Sequence, residues 1–533
     1  MAQVPEITGS ILVGAENHSG GKTFNAVQAA TGDLLQPPFQ EADASHVAAA
    51  CARADEAFAT FSEAEPELRA RFLQAIGAEI MSVGDALIER AMLESGLPRA
   101  RLEGERARTV GQLEFFATVV RDGAWIDATI DHAQPNRAPA PRQDLRRRHV
   151  AIGPVAVFGA SNFPLAFSVA GGDSAAAFAA GCPVIVKGHP AHPGTGELVA
   201  RAIGRAARQC AIPPGVFSYL PGTTHALGAA LVSDPRIGAV GFTGSRAGGL
   251  ALMQVAAARE VPIPVFAEMS SVNPVLLFPA AARRRGAELG KAYVASVTLG
   301  SGQFCTNPGV VVVLGDSDHA GFQAAAASAM QECLPQQMLA TNIHSAYMRG
   351  IGDWSGRPGV QQLARGAASA DPNRAPGVLF GVAADRFMAD ASLRQEVFGP
   401  TSLLVGARTL DEMAEVIESM EGQLTATILF DEEDIAQVAA LMPRLQRKVG
   451  RIIGNGWPTG VEVCHAMVHG GPFPATSDVR STSVGALAIQ RFLRPVCYQN
   501  LPDALLPAAL REHNPLQLMR REDGQFCAPA AAR

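Results

Sequence analysis

Short β-branched runs alternate with longer Ala- and Leu-rich stretches between residues 153 and 279, and this alternation constrains the fold more than any other feature. It predicts a parallel sheet built from βαβ crossovers. Ligands of such sheets bind beyond the carboxyl ends of the strands, so we expect the chemistry there. The predicted strands are 155–158, 184–187, 216–220, 239–242, 265–267 and 275–278, and the predicted helices between them include 174–180, 197–210 and 225–232.

The chain has 533 residues, too many for one hydrophobic core, so we expect two or three domains. Apolar residues at helical spacing predict helices over 41–120, and a second α/β pattern runs from 286 to about 469. The segments 142–152 and 486–498 follow neither pattern and are predicted to form an arm or an added strand at a subunit interface. We expect Arg146, Arg147 and Arg148 to form a solvated face of that arm, and residues 527–533 to be frayed.

The charge balance argues against a polyanionic partner. Only 18% of the residues are charged and the formal net charge is −6, so no basic field exists to bind nucleic acid or an anionic membrane. No signal-peptide pattern and no run of about 18 apolar residues occurs, so we expect a cytoplasmic protein that acts on small molecules. The eight cysteines show no C-x-x-C pair or metal-type histidine spacing, so neither a disulfide framework nor a metal site is predicted.

One cysteine, Cys305, lies in the glycine-flanked loop 300–309, between a helix-like segment and the apolar run 310–314. A thiol at such a position can act as a nucleophile rather than as core filler. The tetrapeptide Gly-Gln-Phe-Cys recurs at 524–527, in an Ala- and Pro-rich tail with no strand predicted after it. The tetrapeptide alone is therefore weak evidence, and the prediction depends on its context.

Six short motifs occur in one order along the chain. They are Phe-Gly-Ala-Ser-Asn-Phe-Pro at 158–164, Val-Ile-Val-Lys at 184–187, Phe-Thr-Gly-Ser at 242–245 with Gly249, Glu268 before Asn273-Pro274, Gly-Gln-Phe-Cys at 302–305 and Glu-Val-Phe-Gly-Pro at 396–400. Together they resemble the motifs of the aldehyde dehydrogenase superfamily, over residues 8 to 501, approximately. The stretch from His469 to Val496 resembles the branch that contains 2,5-dioxovalerate (α-ketoglutarate semialdehyde) dehydrogenases and a related NADP-dependent fatty aldehyde dehydrogenase.

This resemblance implies an α/β fold with a Rossmann-type parallel-sheet dinucleotide domain, a second α/β catalytic domain and a small oligomerisation arm. The N-terminal helical region and the dinucleotide-binding domain would span 1–279, except for an arm strand at about 142–152. The catalytic domain that carries Cys305 would span 280–470. Residues 471–500 would return to the cofactor domain and add an oligomerisation strand, and 501–533 would form a C-terminal tail. Such an arm implies a homodimer or a dimer of dimers.

The resemblance also implies a covalent mechanism. Cys305, as a thiolate, would attack the aldehyde carbon, because sulfur is both a strong nucleophile and an adequate leaving group from a thioester. The Asn162 side chain and the Cys305 backbone N–H would stabilise the oxyanion. Glu268 would then activate water, with a pKa raised by partial burial, so the expected product is a free carboxylic acid.

A nicotinamide cofactor follows from the same resemblance. Lys187, one of only four lysines, would bind ribose hydroxyls. Members that prefer NAD usually carry an acid three residues after this lysine, where the chain has Pro190, so we predict NADP with NAD possible. His189, His192 and His225 are the candidate partners for the 2′-phosphate. The remaining predicted cofactor residues are Gly244, Ser245 and Gly249 at the phosphates, Glu396 at the nicotinamide ribose, Phe398 beside the ring, and Phe158.

The branch predicts oxidation of 2,5-dioxopentanoate to 2-oxoglutarate, with Phe163, Phe167 and Phe473 lining the aldehyde tunnel. These rings suit an aliphatic chain equally, so an NADP-dependent dehydrogenase of medium- or long-chain aldehydes is the alternative. The forty arginines do not identify one that would bind a substrate carboxylate. From other classes, a cysteine-dependent hydrolase would need a histidine base that no strand end provides, and a non-catalytic structural relative would leave the motifs unused.

Overall fold

The fold is described by a computed structural model that covers residues 6–14, 16–315, 318–371 and 373–528. The N-terminal part is mainly helical, as the apolar spacing predicts. Asp43 caps the first helix, and the left-handed residues Gly96 and Gly123 end the third and fourth. The helices are α1 Ala44–Phe61, α2 Pro66–Ser82, α3 Asp85–Ser95 and α4 Arg99–Asp122. The strands are β1 Ile11–Val13, β2 Glu16–His18, β3 Thr23–Val27, β4 Leu34–Gln40, β5 Thr129–Asp131 and β6 Leu145–Ala151.

The first large sheet and its helices follow in the chain. The elements are β7 Val155–Phe158, α5 Gly172–Ala180, β8 Val184–Lys187, α6 Pro193–Gln209, β9 Phe217–Leu220, α7 His225–Ser233, β10 Ala239–Thr243, α8 Arg246–Ala257 and β11 Val265–Glu268. The sheet has seven strands in the order β11-β10-β7-β8-β9-β1-β2. Its five βαβ strands are parallel, which confirms the predicted α/β fold, and β1 and β2 add antiparallel strands at one edge. The Ala-rich helix α5 is buried along its whole length because small side chains let it pack closely.

A second set of strands and helices follows. The elements are β12 Val275–Leu277, α9 Pro279–Thr298, β13 Val310–Leu314, α10 Ala320–Gln331, β14 Gln336–Gln337, α11 Thr341–Ser355, β15 Gln361–Arg365, β16 Arg374–Ala375, β17 Val378–Ala383, α12 Ala384–Ala389, β18 Thr401–Ala407, α13 Leu410–Ser419, β19 Gln423–Leu429, α14 Ile435–Lys448 and β20 Val449–Gly454.

The second sheet also has seven strands, in the order β15-β17-β18-β13-β12-β19-β20, and among these strands β15 alone is antiparallel to its neighbour. We predicted 275–278 as part of the first unit, but this segment is β12, which pairs with β13 and β19 instead. A three-residue apolar strand carries no signal for its partners, so only the tertiary fold assigns it to a sheet.

The two segments predicted as an arm pair with each other. Strand β6 runs antiparallel to a strand from Leu493 to Gln499 over seven residues, within a five-stranded sheet. The tail adds a hairpin to this sheet, so Cys527 is part of a strand rather than of a frayed end, whereas residues 529–533 lie outside the described residues. The last strands are β21 Leu493–Gln499, β22 Arg520–Glu522 and β23 Gln525–Cys527.

The arginine run in β6 is not a solvated face. Arg146 is buried and pairs with Asp144 and Glu512, each at 3.0 Å. Arg147 and Arg148 are half-buried and also pair with acids. The prediction was wrong because acids distant in sequence surround this strand. No helix in the described part of the chain is long and apolar enough to cross a bilayer.

Candidate active site

The loop that carries the predicted nucleophile joins α9 to β13 through three consecutive left-handed residues. Gly300, Ser301 and Gly302 have φ of 55°, 58° and 65°. A Cβ at Gly302 would lie 2.2 Å from the Gly399 carbonyl oxygen, so only glycine fits there. Ser301 is buried, and its N–H donates to the side chain of Gln336. The surrounding structure therefore holds this strained turn in one conformation.

Asn273, in the crossover between the two large sheets, anchors the loop from the core. It is fully buried and has a φ of 48°. Its Nδ2 donates to the carbonyl oxygens of Cys305 and Asn307, each at 2.9 Å. Its Oδ1 accepts hydrogen bonds from the hydroxyls of Ser271 and Thr425. The position of the nucleophile loop is thus fixed by buried hydrogen bonds, which water does not compete for.

Cys305, His469 and Glu268 form one cluster. The Cys305 sulfur lies 3.4 Å from His469 Nε2, and the same nitrogen lies 2.9 Å from Glu268 Oε1. The other carboxylate oxygen accepts a 2.7 Å hydrogen bond from the Ser483 hydroxyl. The histidine and the glutamate are buried, and the cysteine is half-buried. The three ligand atoms lie within 4.8 Å of one another, a donor set of a kind that zinc also uses.

Burial and neighbouring charges set the protonation states of the sulfur and the carboxylate. Burial, followed by the charge of Glu268, raises the pKa of the Cys305 thiol well above its usual value. Burial alone would also raise the pKa of Glu268. The charge of His469 and the hydrogen bonds from His469, Ser483 and Cys305 together outweigh burial, so the pKa of Glu268 is lowered. The predicted upward shift of this base was therefore wrong. At neutral pH the site holds a thiol beside a carboxylate.

The contacts of His469 show that its Nε2 carries a proton. An ionised carboxylate only accepts hydrogen bonds, so Nε2 must carry the proton that bonds to Glu268. The other ring nitrogen, Nδ1, is buried without a hydrogen-bond partner among the described residues. His469 therefore presents an N–H to the sulfur and the carboxylate together, which suits it to stabilise negative charge on either.

Asn162 follows strand β7 and reaches the nucleophile loop. Its Nδ2 donates a 3.0 Å hydrogen bond to the carbonyl oxygen of Gln303, two residues before Cys305. A primary amide has a second N–H, which is a suitable donor for an oxyanion formed at the sulfur. The structure thus brings together the three predicted catalytic residues, with Glu268 at the end of strand β11 and with Asn162 and Cys305 on loops.

The predicted cofactor residues lie at the carboxyl ends of the first sheet. Lys187 ends β8 and donates to the Gly222 carbonyl oxygen at 2.7 Å, and burial lowers its pKa to about 8. Phe158 ends β7 and packs against Phe242, with ring centroids 6.4 Å apart. His189 stacks on His192, and burial lowers its pKa well below the ordinary value, so this ring is neutral.

The turn after β10 fits a phosphate group. Ser245 caps helix α8, and its exposed side chain and the first N–H groups of the helix face the strand end. A Cβ at Gly244 would lie 2.8 Å from the Phe242 ring, and one at Gly249 would lie 2.6 Å from the Met269 sulfur, so both glycines keep this turn close to the sheet. The Gly244 N–H donates to the backbone oxygen of Glu268, which joins the predicted cofactor turn to the catalytic cluster.

Glu396 and Phe398 line a small cleft together with Gly302 and Asn307 of the nucleophile loop. Burial, followed by the charge of Glu268, raises the pKa of Glu396 to about 8. The predicted ribose and nicotinamide contacts therefore adjoin the nucleophile loop. With Lys187 and the Ser245 turn across the sheet edge, the residues present fit a dinucleotide.

Two of the three predicted tunnel residues form an aromatic wall beside the cluster. The rings of Phe163 and Phe167 are 5.2 Å apart, and the Phe163 ring is 5.4 Å from that of Phe304. Phe473 does not join them. It is 47% exposed, and its ring lies 5.5 Å from the Arg246 guanidinium, at the start of α8. Phe473 therefore lies beside the predicted phosphate turn rather than beside the aromatic wall, so its predicted place in the tunnel was wrong.

The pattern of site residues agrees with a comparison against protein families. The family described as "Aldehyde dehydrogenase family" matches residues 16–472. The chain belongs to the aldehyde dehydrogenase family. It is therefore an NAD(P)-dependent enzyme that oxidises aldehydes, and the hydrolase and structural alternatives do not account for this membership.

Curated relatives and solved structures extend the family assignment. "Alpha-ketoglutaric semialdehyde dehydrogenase 2" of Azospirillum brasilense is 54% identical over 98% of this chain and 99% of its own length. "Alpha-ketoglutaric semialdehyde dehydrogenase" of Acinetobacter baylyi is 46% identical over 91% of this chain and 92% of its own. The crystal structure of a putative aldehyde dehydrogenase from Burkholderia cenocepacia has a similar fold, with a TM-score of 0.77 and 21% sequence identity. The match covers 92% of this chain and 100% of that chain.

Within this aldehyde dehydrogenase, His469 is the site residue that sequence reasoning missed. It lies in a loop between β20 and β21, 164 residues after Cys305, and no spacing rule connects the two positions. The only signal was its place at the head of a Gly-Gly-Pro-Phe stretch that marks the branch. Ser483, which bonds to Glu268, carried no signal in the sequence.

Proposed function

We propose that this enzyme oxidises 2,5-dioxopentanoate to 2-oxoglutarate. The proposal depends on the two near full-length relatives, whose names specify a dehydrogenase of α-ketoglutaric semialdehyde. The aromatic wall of Phe163 and Phe167 gives an uncharged passage toward Cys305, which fits the methylene groups of this aldehyde. An aliphatic aldehyde would also fit that wall, so medium- and long-chain aldehydes belong in the substrate test.

Thiol activation is the first step that we propose. The Cys305 proton passes to the Glu268 carboxylate, and the sulfur anion accepts a hydrogen bond from His469 Nε2–H. The pair is suited to this transfer because a thiol and a carboxylate share one buried site. Attack on the aldehyde then gives a thiohemiacetal whose oxyanion is stabilised by Asn162 Nδ2 and by the Cys305 backbone N–H.

Hydrolysis completes the proposed cycle. A bound nicotinamide dinucleotide supplies the acceptor for the hydride that leaves the tetrahedral carbon. Glu268 first loses the proton of the thiol to solvent. Its carboxylate, held in place by Ser483 and His469, then takes a proton from the water that attacks the thioester on Cys305. The tetrahedral intermediate expels the Cys305 thiolate, which regains this proton from Glu268 as 2-oxoglutarate is released.

We propose that NADP is the preferred cofactor and that NAD is also accepted. Pro190 at the position of the usual acid supports this preference. We no longer propose His189 as the partner for the 2′-phosphate, because its neutral ring attracts a phosphate group only weakly. One acid does lie nearby: Glu41 accepts hydrogen bonds from the Thr223 N–H and hydroxyl at 2.9 and 2.7 Å, and its charge acts on Lys187. Its repulsion of a 2′-phosphate is the feature that favours NAD.

A substrate panel tests the proposed function. Initial rates of NADPH and NADH formation are measured with 2,5-dioxopentanoate, pentanal and decanal. We expect the highest kcat/KM for 2,5-dioxopentanoate. A higher kcat/KM for either unbranched aldehyde would assign the enzyme to the aliphatic class instead.

We also propose a homodimer or a dimer of dimers. Strand β21 lies at the edge of the five-stranded sheet and has largely exposed side chains, so its free edge is available for pairing with a second copy. Size-exclusion chromatography with light scattering gives the molar mass. A monomer at micromolar concentration would contradict this assembly.

A further inference from the structure

We propose that the guanidinium of Arg108 binds the carboxylate of the substrate, at the end opposite to the aldehyde. The assignment rests on the proposed function, because it requires a substrate that carries a carboxylate. It answers a question that the sequence left open, since forty arginines could not be distinguished by pattern. The structure distinguishes Arg108 by two features together. It contacts the aromatic wall, and its Nη1 has no hydrogen-bond partner among the described residues.

Arg108 lies on helix α4 and contacts the aromatic wall. Its guanidinium carbon is 5.0 Å from the centroid of the Phe167 ring. The Phe167 ring centroid is in turn 6.3 Å from that of His469, whose Nε2 contacts the Cys305 sulfur. A single aromatic ring thus connects the guanidinium to the catalytic cluster.

The hydrogen bonds of Arg108 are incomplete. Nη1 is shielded from solvent and has no hydrogen-bond partner within the described ranges. The hydrogen bond found for this side chain joins Nη2 to the Val461 carbonyl oxygen, at a long 3.3 Å. A partly buried cation with an unpaired buried N–H group is costly, so a ligand that supplies an acceptor and a negative charge would be favoured there. A carboxylate accepts from two guanidinium N–H groups at once and would satisfy Nη1.

The neighbouring arginine provides the contrast. Arg101 stacks on Phe163 at 4.4 Å, but it donates to Glu105 at 2.7 Å. The other oxygen of Glu105 accepts the backbone N–H groups of Leu165 and Ala166. Arg101 and Glu105 are therefore a closed pair that holds the wall in place, whereas Arg108 forms no ion pair with any acid in the described part of the chain.

The charges around Arg108 match this role. Burial lowers its pKa, and the charges of Glu105, Cys305 and Glu268 oppose that effect while Arg101 adds to it. An arginine remains protonated at neutral pH even so. The extended 2,5-dioxopentanoate molecule spans only about 5 Å between its terminal carbons, so its carboxylate must be bound close to the wall that adjoins the sulfur. An aliphatic aldehyde would leave the guanidinium unpaired, which gives the site its discrimination.

The test compares Arg108→Gln with Arg106→Gln, a matched change two residues away on the same helix, where the guanidinium donates to the Gly84 carbonyl oxygen. Both variants are assayed with 2,5-dioxopentanoate and with pentanal, which has the same chain length and no carboxylate. We expect R108Q to lower kcat/KM for 2,5-dioxopentanoate on the order of 100-fold, mainly through KM, and to change pentanal oxidation by less than about threefold. We expect R106Q to resemble the wild type with both substrates.

Two failures are distinguishable. A wild-type enzyme that prefers pentanal would contradict the proposed function. A wild type that prefers 2,5-dioxopentanoate, with R108Q losing both activities equally or neither, would overturn the assignment of Arg108. Thermal unfolding of R108Q within a few degrees of the wild type shows that the fold is retained.

Inhibition supplies a readout that does not depend on turnover of the keto acid. We expect 2-oxoglutarate, the proposed product, to compete with pentanal in the wild type and in R106Q, and its inhibition constant to rise at least tenfold in R108Q. An inhibition constant that is unchanged in R108Q would overturn the proposal. R108K, which keeps the charge but loses the bidentate geometry, should recover part of the affinity.

Discussion

His469 Nε2 lies 3.4 Å from the Cys305 sulfur and 2.9 Å from Glu268 Oε1, so one ring nitrogen contacts both the proposed nucleophile and the proposed base. Because the carboxylate is an acceptor, the shared nitrogen carries a proton and serves as a donor. In the mechanism that we propose, the thiol gives its proton to Glu268, and the imidazole N–H stabilises the remaining sulfur anion. This arrangement explains how a thiol whose pKa is raised by burial can still become a nucleophile.

Replacing His469 should impair the chemical step. His469→Phe keeps the ring volume against Phe167 but removes the N–H, so we expect kcat/KM to fall about 100- to 1000-fold, as for loss of a donor to a developing anion. His469→Gln restores an N–H donor and should recover part of the rate. Steady-state kinetics measure both, and H469F with wild-type kcat/KM would exclude this role.

Glu268→Gln should separate reactivity toward an alkylating agent from catalysis. Removal of the negative charge lowers the pKa of the Cys305 thiol, because the charge of Glu268 is one of the causes that raise it. The pH profile of inactivation by iodoacetamide should therefore shift to lower pH, while dehydrogenase turnover falls by about 100-fold or more. An unshifted inactivation profile would show that the carboxylate does not act on the sulfur.

Asn273→Ala should destabilise the nucleophile loop. The change removes the donor for the Cys305 and Asn307 carbonyl oxygens in a fully buried position. Asn500→Ala is the matched control, since Asn500 is exposed and has a similar left-handed φ of 55°. We expect N273A to lose about 2–4 kcal/mol more unfolding free energy than N500A, by chemical or thermal denaturation. Equal losses would mean that the buried bonds contribute nothing beyond backbone strain.

Glu41→Gln should change cofactor affinity without touching the catalytic cluster. The carboxylate acts on Lys187 and would repel a 2′-phosphate, so its removal should tighten NADP⁺ binding about two- to fivefold and leave NAD⁺ binding nearly unchanged. Titration of protein fluorescence gives both dissociation constants. Equal changes for the two cofactors would exclude Glu41 from recognition of the 2′ position.

The sequence alone determined the class of fold and predicted most of the candidate site. The βαβ rhythm indicated the first sheet because buried parallel strands require continuous apolar runs, and those runs are local. Cys305, Glu268 and Asn162 were predicted as site residues because each lies in a short motif that resembles those of the aldehyde dehydrogenase family. Their meeting on loops at the strand ends follows from the parallel topology.

The tertiary structure decided what depends on distant partners. It assigned Val275–Leu277 to the second sheet and moved Phe473 away from the aromatic wall. It placed His469 Nε2 within 3.4 Å of the Cys305 sulfur and left Arg108 Nη1 without a hydrogen-bond partner among the residues that the structure describes. It also reversed the expected pKa shift of Glu268, because that shift depends on which donors surround the carboxylate. Such contacts join residues far apart in the chain, and no local pattern in the sequence records them.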